Sequence, residues 1–320
     1  QGKTWQQLSQ DLLYGPLGMT STSSTLEGFL SRSNRAAGHV KRDGAYVAAY
    51  VRDPDAEQPA GGASSSVNDL TKWLMLRLDE GRFDGREVVD ADALLASTTP
   101  SMLMGPPAVP AARGSSYALG IISSVDPTGR VSWSHSGAFA LGAGTAITLI
   151  PSEKLGIVTL TNAAPVGAAE AVNAAFVDEV EFDGQTRDWL EAYGKVFAAE
   201  EQHEGDLVGK TKPASPVPPL PLASYAGSYR NDAYGVARIT VKDGALRLTA
   251  GPKGMTFPLE HWDANTFAWV PPGENGGYPT SIVFRTGGGG AVTGFVSEHM
   301  DDDGTGLFTR TTARAATPAS

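Results

Sequence analysis

The stretch Trp133-Ser134-His135-Ser136-Gly137-Ala138 decides how this chain is read, because it sets a polar trio and a glycine among short β-rich runs. Those runs are Ala118 to Ser123, Val131 to Trp133, Gly144 to Ile150 and Gly156 to Thr161. Pro151-Ser152-Glu153-Lys154 has the residues of a turn, so the last two runs form an antiparallel hairpin. A glycine on a strand lets a ligand lie close against the backbone, where N–H groups can meet a developing oxyanion. Taken without its surroundings, the same string is a turn before a strand with an incidental histidine.

Upstream, Trp5, Leu8, Leu12 and Leu13 make an apolar stripe at helical spacing that stops at Gly15-Pro16. Ser66 opens a second helix with Leu70, Trp73, Leu74 and Leu78 on its apolar face and Gly81 at its close; Asp69, three residues after Ser66, resembles a capping box. Downstream, Ala168 to Val180 and Thr186 to Glu201 are helical, the second one strongly acidic. Helices around an antiparallel sheet make residues 1–209 an α+β layer structure. The segment 210–221 holds five prolines and no periodic signal, which reads as an extended linker and a domain boundary. Residues 222–311 then carry many short strands with turns between them: Ala237 to Val241, Leu246 to Thr249, Thr266 to Val270, Ile282 to Arg285, Val292 to Val296 and Gly306 to Arg310. That pattern predicts a small all-β antiparallel barrel or sandwich, with a frayed tail over 312–320.

Composition narrows the function. Twenty-five basic against thirty-five acidic residues leave a net charge of -10, which repels nucleic acid and anionic membranes. With no cysteine, disulfides, thiolate metal sites and a cysteine nucleophile are excluded. No apolar run approaches the roughly 18–20 residues of a membrane span, and no leader opens the chain; with Gln1 first, either a leader was removed or this is not the natural start.

Three segments occur in one order: Pro16-Leu17-Gly18-Met19-Thr20-Ser21-Thr22, then Pro59-Ala60-Gly61-Gly62 leading into Ser66-Val67-Asn68-Asp69-Leu70, then His135-Ser136-Gly137 before the Pro151 hairpin. Together they resemble the later two thirds of the penicillin-binding protein and class C β-lactamase superfamily, near its esterase and D-aminopeptidase branches. The resemblance implies a β-lactamase-like α/β sandwich, here partial, hydrolysing an ester or amide through an acyl-enzyme. It makes His135-Ser136-Gly137 the third active-site box, which is Lys-Thr-Gly in much of the family and His-x-Gly in those branches. It also makes the N–H of Ala138 one arm of the oxyanion hole. An imidazole is not the fixed cation that lysine is, which tilts the expectation from β-lactamase towards esterase or aminopeptidase work. The family further implies a bacterial periplasmic or secreted protein, a small-molecule or peptide-like substrate and no cofactor or metal.

The sequence departs from the family in one respect. No serine is followed three residues later by lysine, and no Tyr-x-Asn box stands where the family has it. In the family both lie upstream of the first helix here, so truncation accounts for both, and the chain by itself is expected to be inactive. Tyr229-Arg230-Asn231 spells Tyr-x-Asn beyond the proline segment, in a string resembling the start of the lipocalin-like barrel appended to many such hydrolases, and is assigned to structure. Gly142-Ala143-Gly144 lacks the third glycine of a dinucleotide fingerprint, and Asp301-Asp302-Asp303-Gly304 lacks the later ligands of a calcium loop. The glycines 287–290 read as a flexible turn. His39, His203, His261 and His299 have no metal spacing and read as surface or barrel residues. A Ser-His-Asp triad on His135 lacks its nucleophile elbow. The rival from another class is a noncatalytic peptide- or glycan-binding protein on a degenerate hydrolase fold.

Overall fold

A computed structural model describes residues 2–105, 107, 113–200, 205–274, 276–301 and 303–311. The tail 312–320, His203 and Asp302 lie outside the described residues. The chain divides into two compact units, 1–201 and 202–320. The fold is α+β in the first and an all-β barrel in the second.

The first unit opens with α1 (Trp5–Ser9), held by a capping box in which the Thr4 hydroxyl accepts from the Gln7 amide and the Gln7 side chain accepts from that of Thr4. The helical stripe continues to Tyr14 but as a π-turn, Gln10–Tyr14, whose wider winding rotates the face. Trp5 and Leu12 are therefore exposed, while Tyr14, Leu17 and Met19 enter a core with Leu76. Ser66 caps α2 (Val67–Leu78) through its bond from the Asp69 amide. The second half of the expected box is redirected: the Asp69 carboxylate takes the Ser21 N–H at 2.7 Å, the Thr22 hydroxyl at 2.9 Å and Lys72 at 3.2 Å. The first and second sequence segments are thus bonded to each other. Gly81 stops the helix at φ 91°, and any Cβ there would stand 2.0 Å from the Val89 carbonyl oxygen. After α3 (Ala91–Thr98) comes an antiparallel sheet.

Its strands are β1 (Met102–Leu103), β2 (Ser116–Tyr117), β3 (Ile122–Val125), β4 (Val131–Phe139), β5 (Ala143–Ile150) and β6 (Leu155–Thr161). They lie in the order β6-β5-β4-β3-β2-β1. The strand expected over Ala118–Ser123 is instead a tight turn over 118–121, in which the Ala118 N–H bonds the Ile121 carbonyl, and only its last two residues enter β3. The Val131 strand runs six residues further than its apolar signal and carries His135 in its middle. The Pro151 hairpin pairs Ile150 with Leu155, and Lys154 closes it at φ 48°. Two helices, α4 (Ala168–Phe182) and α5 (Trp189–Glu200), complete the unit.

Period two sorts the sheet residues between faces. Ser136, paired with Ala146, lies on the α4 side, where Thr159 donates to Asn173. Trp133, His135, Phe139, Ile147 and Gly156 lie on the other side, where Gly156 lets Leu74 and Leu78 of α2 come close.

In the second unit eight strands close into a barrel: β7 (Gly227–Asn231), β8 (Gly235–Lys242), β9 (Ala245–Ala250), β10 (Met255–Asp263), β11 (Thr266–Trp269), β12 (Thr280–Thr286), β13 (Val292–Ser297) and β14 (Leu307–Arg310). Closure removes the exposed edges an open sheet would leave. The interior is filled by Tyr225, Tyr229, Phe267, Phe284, Phe295 and Phe308 with aliphatic neighbours, all nearly inaccessible. β10 carries Pro258 inside its alternation, which hid it from the sequence reading. The proline-rich segment 210–221 holds no helix or strand, yet it is fastened: the Val217 N–H donates to Asp263 at 2.7 Å and the Leu220 N–H to the Tyr225 hydroxyl at 2.9 Å.

Candidate active site

The side chains on the α2 side of the sheet, the Tyr14 turn and the loop through Gly61 enclose a cavity of about 1520 Å³. β4 forms one wall. His135 and Phe139 face into it, with the Tyr117 ring 6.2 Å from the imidazole. The Nδ1 of His135 is buried and has no hydrogen-bond partner among the described residues. Ser136 is turned the other way, its hydroxyl donating to the Glu170 carboxylate in the first turn of α4. Adjacent residues of a strand must part in this way, so the polar trio is shared between two faces.

Gly137 gives the wall its smoothness: a Cβ there would lie 3.1 Å from Thr145 Oγ1, which bonds the Gly137 carbonyl at 3.2 Å. The direction of the Ala138 amide follows from two turns. The Phe139 carbonyl accepts from Gly142 on the β5 side, and the Arg130 carbonyl accepts from Asp126 on the β3 side. Antiparallel alternation therefore points the N–H groups of Ser136 and Ala138 towards β3. β3 pairs only as far as Ile122 opposite Ser134, so both amides sit at an edge without a strand partner among the described residues.

The remaining chemistry of the lining is sparse. It contains no Asp, Glu or Lys among the described residues, and His135 is its one imidazole. Its Ser64 hydroxyl bonds the Ser23 carbonyl, and its Ser65 hydroxyl lies 2.7 Å from that of Thr22. Lys72 is engaged with Asp69 and the Gly18 carbonyl. Among the described residues no serine hydroxyl of the lining bonds an amine or a carboxylate; the one lining hydroxyl that does is that of Thr22, which donates to Asp69. Among the described residues no three His, Asp or Glu side chains could hold a metal.

Arg77 and Arg52 were not singled out by sequence. Arg52 lies over the Phe139 ring at 3.5 Å and pairs with Glu57. Arg77 had a signal, since position 77 continues the stripe of Leu70, Trp73 and Leu74 and so puts a cation on a buried face. The Tyr229-Arg230-Asn231 string is barrel structure. Tyr229 is fully buried with its hydroxyl on the Tyr225 carbonyl, and Asn231 ties down Thr305 and Leu307. Asp301 accepts from the Gly306 N–H in a turn, His39 and His261 approach backbone carbonyls, and His299 stacks edge-on to Trp269.

Residues 1–182, more than half of the chain, match the Beta-lactamase family. The chain belongs to the beta-lactamase family. Residues 211–307 match a second family, described as Domain of unknown function (DUF3471), which covers the barrel. Among curated proteins, Unguisins hydrolase ungD of Aspergillus violaceofuscus is 27% identical over 274 residues, covering 78% of this chain and 48% of the relative. The chain spans about half the length of the curated relatives it matches. Among solved structures, the C-terminal domain of a penicillin binding protein is 42% identical over 32% of this chain and 96% of its own, with a TM-score of 0.29. An octameric penicillin-binding protein homologue from Pyrococcus abyssi is 19% identical, covers 89% of this chain and 57% of its own, and has a TM-score of 0.45. No helix among the described residues of this beta-lactamase family member is long and apolar enough to cross a membrane.

Proposed function

We propose that this chain forms one wall of the acyl-transfer cleft of a serine hydrolase acting on esters or amides of β-lactam or D-amino-acid peptide type. The observation that carries the reading is the third box on β4, which combines an inward imidazole, a glycine wall and an Ala138 amide at an unpaired edge. An amide so placed is a preorganised donor for an oxyanion, and removing one such donor costs on the order of 10²–10³ in turnover in hydrolases. His135 stands where a proton or a leaving group would be met. No serine of the cavity lining is bonded to a base among the described residues, so in this reading the nucleophilic serine and its lysine or tyrosine partner belong to a part of a longer protein outside this sequence. Such a hydrolase works in the bacterial periplasm or after secretion.

The test compares the 1–320 chain with a longer protein carrying a Ser-x-x-Lys. The longer one should turn over p-nitrophenyl esters and be labelled by a fluorophosphonate at that serine, and the shorter should do neither. In the longer protein His135→Ala should lower turnover at least tenfold while the melting temperature holds. Stoichiometric labelling of Ser136 or any other serine of the 1–320 chain sinks the reading. Ligand binding without turnover in the longer protein favours the noncatalytic alternative.

A further inference from the structure

The second charged feature of the cavity is Arg77, on α2. Its side chain is almost inaccessible, at 7% exposure, yet it lines the cavity. The guanidinium is framed by two rings, its centre 5.2 Å from Trp73 and 5.9 Å from Trp133. One nitrogen donates to the Ser97 hydroxyl at 3.2 Å, and Nε has no hydrogen-bond partner among the described residues. A guanidinium has five N–H donors and keeps its charge, so a single neutral acceptor leaves most of its desolvation uncompensated. Burial alone pushes its pKa down, with no anion acting in the other direction.

The neighbouring charges are committed elsewhere. On α2, Asp69 is held by Ser21, Thr22 and Lys72, while beyond its end Asp79 pairs with Lys154. Asp90 caps α3 through the Ala93 amide. Of the other two arginines that line the cavity, Arg52 pairs with Glu57 and Arg35 donates to the Leu30 and Arg32 carbonyls. Among the described residues no carboxylate lies within ion-pairing distance of Arg77. A chain of net charge -10 therefore carries a cavity lined by three arginines and no acid among its described residues. Low-dielectric walls focus such a field on an incoming anion.

We propose that Arg77 makes this cavity a receptor for a carboxylate, taken in bidentate fashion by the fork that Trp73 and Trp133 hold in place. Trp133 and His135 are two residues apart on one face of β4, about 7 Å at strand spacing. A carboxylate on Arg77 would then share the cavity with the imidazole. That selects acyl substrates bearing a free acid, and it restores the anion recognition that a histidine in the third box gives up. The substrate half of this assignment rests on the hydrolase reading; the binding half does not.

The probes are hippurate and its neutral amide, titrated calorimetrically into the 1–320 chain, into R77M and into R77K. Hippurate should bind at least tenfold tighter than hippuramide, with the preference shrinking to about onefold in R77M and only partly in R77K. Raised salt should weaken hippurate and leave hippuramide unchanged. Equal binding of the two ligands, no binding of either, or a preference that survives in R77M overturns the proposal. If R77M does not fold, the salt dependence and R77K decide alone. A preference present in both the 1–320 chain and the longer protein assigns the carboxylate to substrate. A preference lost in the longer protein assigns it to a side chain of that protein, which leaves the receptor standing and removes its substrate role. Should the longer protein fail to react with the fluorophosphonate, the hydrolase reading falls while the calorimetric preference still decides Arg77.

Discussion

The two units use the same alternation of strand residues to opposite ends. In the barrel the buried side chains pack on one another, and the centre is an aromatic cluster in which the Phe284 ring lies 4.6 Å from that of Tyr225, 5.5 Å from Phe295 and 5.7 Å from Phe267. In the first unit the equivalent face of the sheet is covered by α2 at one end only, and the rest borders about 1520 Å³ of open space. Both faces are apolar. Among the described residues both keep buried polar atoms without a partner, Trp269 Nε1 and Ser297 Oγ in the barrel and His135 Nδ1 and Arg77 Nε in the first unit, but only His135 and Arg77 line the open space. A closed sheet spends its inner face on stability, whereas a sheet packed on one flank has a face left for chemistry.

The contrast should be largest in core truncations. Phe284→Ala removes a ring from the barrel centre and should cost about 3–5 kcal/mol in the unfolding of the second unit. Ile147→Ala, facing the cavity, should cost the first unit no more than about 1 kcal/mol, because the side chain already borders open space. Denaturant titration followed by probes in each unit measures both, and equal losses would erase the distinction. Two separate transitions are expected as well, since we propose that residues 1–209 and 222–311 fold as separate domains joined by 210–221. A single transition seen by both probes contradicts that division.

A smaller effect should distinguish the units by pH. Glu181, at the end of α4, has its carboxyl pushed up to about 7 by burial and by the carboxylate of Asp126. Arg130 stands 3.6 Å away and offsets part of this, and Asp178 adds to it. Asp126 moves oppositely: burial raises it, but bonds from Thr128 and Arg130 outweigh that and hold it low. A carboxyl raised in the folded state is stabilising below its ordinary value of 4.5, and that contribution is lost as pH rises through about 7. The first unit should therefore lose up to about 3 kcal/mol between pH 4.5 and 7.5. Glu181→Gln should flatten the profile while the barrel's is unchanged. A wild-type profile flat over this range would remove this account of Glu181.

The smallest expected change is at Ser136. It lies next to His135 in sequence but on the α4 face, so Ser136→Ala should cost less than about 1 kcal/mol through its bond to Glu170. Turnover of the longer protein should stay within about twofold of wild type. A loss comparable with that of His135→Ala would mean that the two faces are coupled through β4.

Much of this was legible in the residues because its causes are local. The Ser66 cap, the Gly81 stop, the Pro151 hairpin and most barrel strands follow from cap, turn and alternation chemistry within a few positions. Where local signals conflicted, the reading fell short: Pro258 hid β10, and the polar residues after Trp133 hid the second half of β4. The reading of His135-Ser136-Gly137 as a third box rests on its order among distant segments rather than on its own spelling.

What the sequence by itself determined was therefore the set of elements, their approximate ends and the family to which their order points. Tertiary structure alone decided which face of each element met what. Alternation says that His135 and Ser136 point apart, but only the packing of α2 and α4 says which one borders the cavity. The same holds for Asp69, whose carboxylate abandons its own helix for Ser21 and Thr22, more than forty residues away. It holds for Arg77, whose spacing put it on a buried stripe without revealing that nothing there would neutralise it. Burial and charge pairing depend on groups brought together by folding, and no window along the chain contains both partners.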